Sequence, residues 1–333
     1  MTTPLQPMTR RRVMAAAAAG SLGFALPSLR AQTLPPVARI IVGFTAGGSP
    51  DYVARRLAEG LTGKLAANVV VENKPGAGSR VALDAARQLP PDGLTLLLSP
   101  AGIVATNPHT YRKLNYDPVK DLTPISVTNT LTLGFAVGPA VPPQVRDIAG
   151  FAAWAKGQSG TIAFGSPAAG APPHFIGDWL DRSLKLGLTH VAYRGGAPAL
   201  NDLFGGSIAS LSLTLGDMIK PAEAQRLRIL AVTGNKRSEF APDVPTFAEQ
   251  GIKGLDRDDW FGLYVVGQAA PEVVQRLSAI TKAVQGGAVY QKAMRNNFLN
   301  PAWSTPQELA QRGQEDLAHW GPIIKASGFT ADS

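Results

Sequence analysis

The stretch VGFTAGGSPDYVARRL, residues 42–57, indicates the fold class because its pattern joins a strand to a helix through a glycine-rich turn. The apolar run before it ends at Gly43, and Gly47 and Gly48 follow within the turn. Ser49 is a suitable helix cap and Pro50 suits the first helical position, so a helix is expected from there onward. Glycine lets a ligand approach the main chain, and a helix N-terminus attracts anions.

A second passage, TIAFGSPAAGAPPHFIGDWL at residues 161–180, has the same order of strand, aromatic residue, glycine turn, proline and helix. Ser166 and Gly170 belong to its turn. Ligands of open α/β sheets bind outside the carboxyl ends of the strands. If the two turns belong to different domains, they can face each other across a cleft and bind an anion through backbone amides. Each turn taken alone also fits a tight, well-capped connection without a ligand.

The remainder of the chain alternates short apolar strands with helical patterns, which predicts an α/β protein with mainly parallel sheets flanked by helices. Nine stretches have strand character, from ARIIVGF to WFGLYVVG. The last third instead contains two helical patterns, PEVVQRLSAITKAVQ and TPQELAQRGQEDLAHWGPIIKASG, expected to pack back over the first sheet. Some 300 residues exceed the usual size of one hydrophobic core, so two domains are expected.

The first 31 residues have the layout of a twin-arginine-type signal peptide. Arg10, Arg11 and Arg12 precede a short apolar segment at 13–26, and cleavage after Ala31 is expected. A retained anchor or a basic cytosolic tail is the alternative. Removal of this segment leaves 28 basic and 24 acidic residues, a net charge of +4 instead of +8. No basic cluster with interleaved aromatics remains, which disfavours nucleic-acid binding.

The sequence lacks the common catalytic, metal and cofactor motifs. It has no cysteine, so disulfides and zinc–cysteine sites are excluded. The glycine-rich stretches match neither a dinucleotide fingerprint nor a P-loop, and there is no GxSxG motif. The four histidines have no metal-ligand spacing. We therefore expect no catalysis, no metal and no cofactor.

The motifs FTAGGSPDYVAR, FGSPAAGAPPHF, HVAYRGGAPALNDLFGG and LRILAVTGNKRSEFAPDVPTFAEQG resemble those of the Bug proteins. These are extracytoplasmic substrate-binding proteins of tripartite tricarboxylate transporters, and the resemblance extends from about residue 37 to 325. It implies a type II-like periplasmic binding protein with domain 1 at 37–131 plus 267–333 and domain 2 at 132–262. The implied hinge consists of two crossing segments near 131–138 and 260–267.

The resemblance also implies the function. A monomeric periplasmic protein would close on a small organic anion, either a carboxylate or an acidic amino acid or amide, and deliver it to membrane transporter subunits. Main-chain N–H groups and water would hold the carboxylate. An exported sensor that presents its ligand to a receptor, or a periplasmic hydrolase using a serine with His174, are the alternatives. The sequence departs from the family pattern at Ala46, Ala168, Arg194 and 266–269, which leaves the ligand open.

Thirteen residues are candidates for ligand binding: Phe44, Ala46, Gly47, Gly48, Asp51, Ser99, Ser166, Ala168, Gly170, His174, Tyr193, Gly195 and Asp217. Asp51 has two interpretations, compensation of the helix dipole or selection of a ligand ammonium or hydroxyl. His174 is either a packing residue or a hydrogen-bonding one. Arg194 could bind a carboxylate, but strand alternation places it opposite Tyr193, toward solvent.

Overall fold

The computed structural model describes residues 34–331, so the predicted signal peptide at 1–31 lies outside the described residues. Two sheets with helices packed on them make up this part of the chain. None of the helices between residues 34 and 331 has both the length and the apolar content required to cross a bilayer.

The first sheet has six strands in the order β11-β4-β10-β3-β1-β2. These are β1 (Val37–Val42), β2 (Asn68–Asn73), β3 (Thr95–Pro100), β4 (Leu122–Leu131), β10 (Asp259–Val266) and β11 (Asn300–Pro301). The strands β1, β2 and β3 are parallel, whereas β10 runs antiparallel to both of its neighbours. All eight residues of β10 are buried, as expected for a central strand covered on both faces.

The second sheet has five strands in the order β7-β6-β8-β5-β9. These are β5 (Leu133–Val137), β6 (Ile162–Ser166), β7 (Leu188–Ala192), β8 (Ser210–Thr214) and β9 (Arg228–Val232). The strands β6, β7 and β8 are parallel, and β5 runs antiparallel to β8 and β9.

The helices follow the predicted alternation with the strands. They are α1 (Ser49–Leu61), α2 (Arg80–Arg87), α3 (Gly102–Ala105), α4 (Asn107–Thr110), α5 (Ile148–Lys156), α6 (Pro172–Leu184), α7 (Gly196–Phe204), α8 (Leu215–Glu223), α9 (Pro271–Gln285), α10 (Ala288–Asn296) and α11 (Pro306–Ser327). Helix α1 begins at Ser49, with Gly48 in the capping position. Its apolar residues recur at helical spacing, and Val53, Leu57 and Leu61 are fully buried.

The α/β fold with two sheets is confirmed, but the sheets are mixed, and the prediction of mainly parallel sheets needs this correction. The antiparallel members β5 and β10 are the strands that enter each sheet from the other one. The chain passes from β4 in the first sheet to β5 in the second through Thr132 alone.

The two connections between the sheets lie near each other in space. The first is Thr132, and the second comprises residues 233–258, between β9 and β10. The Thr132 hydroxyl donates to Asp258 at 3.3 Å, which links the two connections. The segment 260–267, predicted as a crossing, forms most of β10, and the predicted domain boundary at 262 falls within that strand.

The C-terminal helices pack on the first sheet, as predicted. Helices α9 and α11 both contact β4, and α11 also contacts α3, α4 and α6. A capping box at Thr305 and Glu308 starts α11, because each residue's side chain bonds the other's backbone N–H. The Trp260 indole is fully buried and donates to Asp316 of α11 at 2.6 Å.

Candidate functional site

A cavity lies between the two sheets, where the carboxyl ends of the parallel strands meet. The cavity and its mouth enclose about 650 Å³. Its walls include Phe44 and Ser99 from the first sheet's side, and Leu213 and Asp217 from the second's. Of residues 34–331, no lysine, arginine or histidine lines the cavity. It is therefore a mainly apolar cavity with a few polar groups, the usual composition of a small-molecule site.

The first turn, residues 43–48, meets the connection between β7 and α7 at the edge of this cavity. The Thr45 N–H donates to the carbonyl oxygen of Arg194 at 3.1 Å. Gly195, at φ +142°, packs so closely on Thr45 that a Cβ atom there would overlap the Thr45 side chain. Only glycine allows this approach, so the structure assigns Gly195 a contact between the two sides of the cavity.

A second polar contact between the two sides joins α1 to α8. The Ser49 hydroxyl donates to Asp217 Oδ1 at 2.7 Å. Burial raises the pKa of Asp217 to about 6, although the hydrogen bonds from Ser49 oppose that rise. Near neutral pH this carboxylate is therefore ionised inside the protein, and no cation from the described residues lines the cavity wall beside it.

Within the first turn, Ala46 and Gly47 are exposed and lie outside the cavity lining. The Gly47 N–H donates to Asp51 Oδ2 at 3.0 Å, so its main chain is bonded inside the turn. Arg55 forms an ion pair with Asp51 at 3.0 Å. Burial raises the pKa of Asp51, but the hydrogen bonds from Arg55 and Gly47 outweigh it and lower the pKa overall. Asp51 is thus satisfied by its own helix and turn.

The second turn, residues 166–171, is held by buried His174 and half-buried His190. The Gly170 N–H donates to His174 Nδ1 at 3.1 Å, and the His174 ring stacks on His190 at 3.8 Å. Ser166 is fully buried and contacts His190 Nε2 at 2.7 Å. Burial lowers the pKa of His174 to about 3 and that of His190 to about 4, so both are neutral at pH 7.

A second hollow of about 560 Å³ lies beside the main cavity and shares Phe44 with it. Ala168 and Tyr193 line this outer hollow, together with Arg194. The Tyr193 hydroxyl donates to Asp202 at 2.7 Å. The predicted residues are therefore divided. The main cavity is lined by Phe44, Gly48, Ser99 and Asp217, and the outer hollow by Ala168 and Tyr193. Neither space is lined by Ser166, Gly170 or His174, whose hydrogen bonds hold the second turn.

Several cavity residues were missed by the sequence analysis. Ser79 ends a left-handed turn of three residues, 77–79, and its hydroxyl lies 3.1 Å from that of Ser99. The Asn107 amide donates to the Gly78 carbonyl at 3.1 Å and fixes this turn. The Gly76–Gly78 pair was the only available signal, since glycines mark turns that need positive φ.

Asp259 is the other missed residue. It begins β10, lines the cavity, and is 8% exposed. Burial raises its pKa to about 7; the neighbouring carboxylates of Asp316 and Asp258 add to the shift, and Arg312 opposes it. Its Oδ1 accepts from the Trp260 N–H at 2.8 Å. A strand read as parallel would have placed Asp259 at the far edge of the sheet, which is why the sequence did not point to it.

Comparisons with known proteins agree with this architecture. The family model described as "Tripartite tricarboxylate transporter family receptor" matches residues 53–329. A Cupriavidus necator protein, the UPF0065 protein in the gbd 5' region, is 33% identical over 330 residues, covering 97% of this chain and 99% of that protein. BugT of Bordetella pertussis is 28% identical over 325 residues, covering 96% of this chain and 98% of BugT.

Solved structures show the same fold. The periplasmic binding protein BugD superposes with a TM-score of 0.82 at 28% identity, covering 90% of this chain and 99% of BugD. An R. palustris protein with adipate superposes with a TM-score of 0.83 at 28% identity and the same coverage. The resemblance to the Bug proteins is thereby confirmed, and the chain belongs to the tripartite tricarboxylate transporter receptor family.

Proposed function

We propose that this protein captures a small organic carboxylate in the cavity between its two sheets, in the periplasm, and delivers it to a membrane transporter without chemical turnover. The observation that carries the proposal is the cavity itself. It lies at the carboxyl ends of strands from both sheets and is closed by contacts between its two sides, Thr45 with Arg194 and Ser49 with Asp217.

Neutral hydrogen-bonding groups in the cavity support a carboxylate ligand. Ser79 and Ser99 line the cavity on one side, and their hydroxyls are 3.1 Å apart. Gly196 begins α7 on the other side, where a nine-residue helix directs its positive end toward the cavity. The R. palustris relative with adipate binds a dicarboxylate, which is consistent with an acid as the ligand class.

Closure would take place about the two connections between the sheets. We place the hinge at Thr132 and at residues 254–258, the end of the second connection. The hydrogen bond from Thr132 to Asp258 holds these two segments close together. The hydrogen bonds of Thr45 with Arg194 and of Ser49 with Asp217 cross the cavity, and the second turn packs there on the segment of α3 and α4. A ligand bound better by the closed form would shift the population toward it.

The alternative of a hydrolase built on a serine and His174 finds no support in the geometry. His174 Nδ1 accepts from the Gly170 N–H, and the hydroxyl near a histidine is that of fully buried Ser166, beside His190. A nucleophile needs both a base and access to the substrate.

The test is a thermal-shift screen of the protein recovered from the periplasm after expression of the full chain, which also tests the signal at 1–31. A ligand at 100 times its dissociation constant should add about 2.7 kcal/mol of stability. The panel holds mono-, di- and tricarboxylates and amino acids of two to eight carbons. If no acid in it raises the melting temperature, the proposal is wrong. Compaction in small-angle scattering with the best acid would support the hinge.

A further inference from the structure

We propose that the cavity selects an acid whose other end carries an ammonium group, a zwitterion in preference to a dicarboxylate, and that Asp259 with Asp217 determines this selection. The inference rests on the proposed function and specifies the chemistry of its ligand. Both proposals rest on the same cavity. Two carboxylic side chains line it and, among residues 34–331, no lysine, arginine or histidine does.

Asp259 is the stronger of the two selecting groups. More than nine-tenths of its surface is buried, and its one hydrogen bond in residues 34–331 is to the N–H of the next residue. Its second carboxylate oxygen accepts no hydrogen bond from residues 34–331, and the residue lines the cavity. An acceptor on such a mainly buried side chain gains most from a donor that the ligand supplies.

Asp217 faces the same cavity from the other side. It accepts from Ser49 through Oδ1, and Oδ2 lies near the Gly196 position. Four charged residues lie near Asp259 without lining the main cavity. They are the acids Asp258 and Asp316 and the cations Arg257 and Arg312. Arg312 opposes the rise in the pKa of Asp259 only in part, and no cation of residues 34–331 lines the wall beside the two acids, so a ligand ammonium could compensate their charge.

A dianionic ligand would meet the opposite situation. Its second carboxylate would enter a mainly apolar space beside Asp217 and Asp259, and like charges in such a space repel strongly. Both side chains would have to hold protons, which the raised pKa values permit only at lower pH. An ammonium beside Asp259 is attracted by its carboxylate and donates three hydrogen bonds. The Ser79 hydroxyl, which accepts from Ser99, keeps its own proton for the ligand's carboxylate.

The experiment compares four ligands of equal length by calorimetry at pH 7.5: adipate, 6-aminohexanoate, adipamate and hexanoate, with matched four- and five-carbon sets. We expect the amino acid of the best-fitting length to bind at least tenfold more tightly than the dicarboxylate of that length. The variant Asp259→Asn should remove most of this advantage, and Asp217→Asn part of it. The control Asp243→Asn removes an exposed acid outside the cavity and the hinge, and it should retain the advantage.

The outcomes separate the two proposals. Equal or tighter binding of the dicarboxylate by the unaltered protein would overturn the inference and leave the proposed function standing. An amine advantage that persists in both Asp259→Asn and Asp217→Asn would also overturn it. If neither amino acids nor plain carboxylates bind at any length, the proposed function and the inference fail together.

Discussion

The first turn, 43–48, and the second turn, 166–171, have similar sequences but meet different partners. The first bonds through Thr45 to the main chain of Arg194, in the connection before α7. The second contacts the segment of α3 and α4, where a Cβ on Gly170 would press on Thr110 and Pro172 lies next to Gly102. The two turns thus do not grip each other. Each closes a different part of the cavity, one by hydrogen bonds and the other by packing of small residues.

The largest expected effect comes from breaking the first of these contacts. In Gly195→Val the new side chain would overlap Thr45, so the two sides could not close. We expect a loss of roughly 100-fold in ligand affinity, equivalent to about 2.7 kcal/mol. Calorimetry with the best acid of the panel measures it.

The matched control for that variant is Gly206→Val. Gly206 also has a positive φ, of +77°, but a Cβ there has nothing within 4 Å. The Gly206→Val variant should lose stability from backbone strain but has no clash, so its ligand affinity should stay close to that of the unaltered protein. Removal of the Thr45 hydroxyl in a Gly195→Ala, Thr45→Ala double variant should restore part of the affinity. Equal losses in the two valine variants would assign the effect to backbone strain.

The second turn is expected to be the acid-sensitive one, because its support is a pair of buried neutral histidines. Folding lowers the pKa of His174 and His190 from 6.5 to about 3 and about 4. Below pH 6.5 the unfolded chain therefore binds more protons, and stability falls as the pH falls. Asp217 and Asp259 act in the opposite sense. Their pKa values rise from 3.8, so between about pH 4 and 7 the folded state binds more protons and stability rises on acidification.

These two trends should nearly cancel in the unaltered protein, whose melting temperature should change little between pH 7.5 and 5. The double variant Asp217→Asn, Asp259→Asn keeps the histidine trend without the opposing trend of these two acids. It should lose on the order of 3 kcal/mol of unfolding free energy over that range. Denaturant unfolding at the two pH values measures this. A flat pH dependence in the double variant would mean that the histidine pair titrates normally.

A smaller effect is expected from Ser49→Ala, which removes one polar contact between the two sides. The Ser49 hydroxyl donates to Asp217 at 2.7 Å, and its loss leaves that carboxylate with one partner fewer. A hydrogen bond to a charged group contributes about 1.5 kcal/mol, so the affinity should fall by roughly tenfold. The melting temperature of the unliganded protein should change by no more than a few degrees. An unchanged affinity would exclude this contact from the closed, liganded form.

The smallest expected effect belongs to Gly47→Ala. Gly47 has a φ of +91°, is exposed, and has open space where the methyl group would lie. We expect a loss of about 1 kcal/mol of stability from the backbone and an affinity within about twofold of the original. A large loss of affinity would instead support the prediction, made from the sequence, that the main chain at Gly47 contacts the ligand.

Much of the fold could be predicted from the sequence, because local signals determine it. The strand, glycine turn and proline-started helix at residues 42–57 form as expected, and the α/β class follows from the alternation of such units. The direction of β5 and β10 could not be predicted, since it depends on how the chain passes between the sheets. A hydrophobic strand has the same composition whether it runs parallel or antiparallel.

The candidate site was predictable only in part, for a related reason. Phe44, Ser99 and Asp217 follow or end parallel strands, and the rule that ligands bind beyond such ends applies to them. Asp259 starts an antiparallel strand, whose beginning meets the same edge, so the rule points away from it. His174 and Ser166 had the right position along the chain, but His174 Nδ1 accepts from the Gly170 N–H and the Ser166 hydroxyl contacts His190 Nε2.

The assignment of Asp217 to α8 and of Asp259 to β10 places the two acids on opposite sides of the hinge. When the empty protein is closed, burial disfavours the charge of each carboxylate. Opening would hydrate both, so the unoccupied form should relax to the open state of its own accord. The same acids would then also influence how long a bound molecule stays, because a ligand cation beside a carboxylate offsets the cost of burial that otherwise drives release.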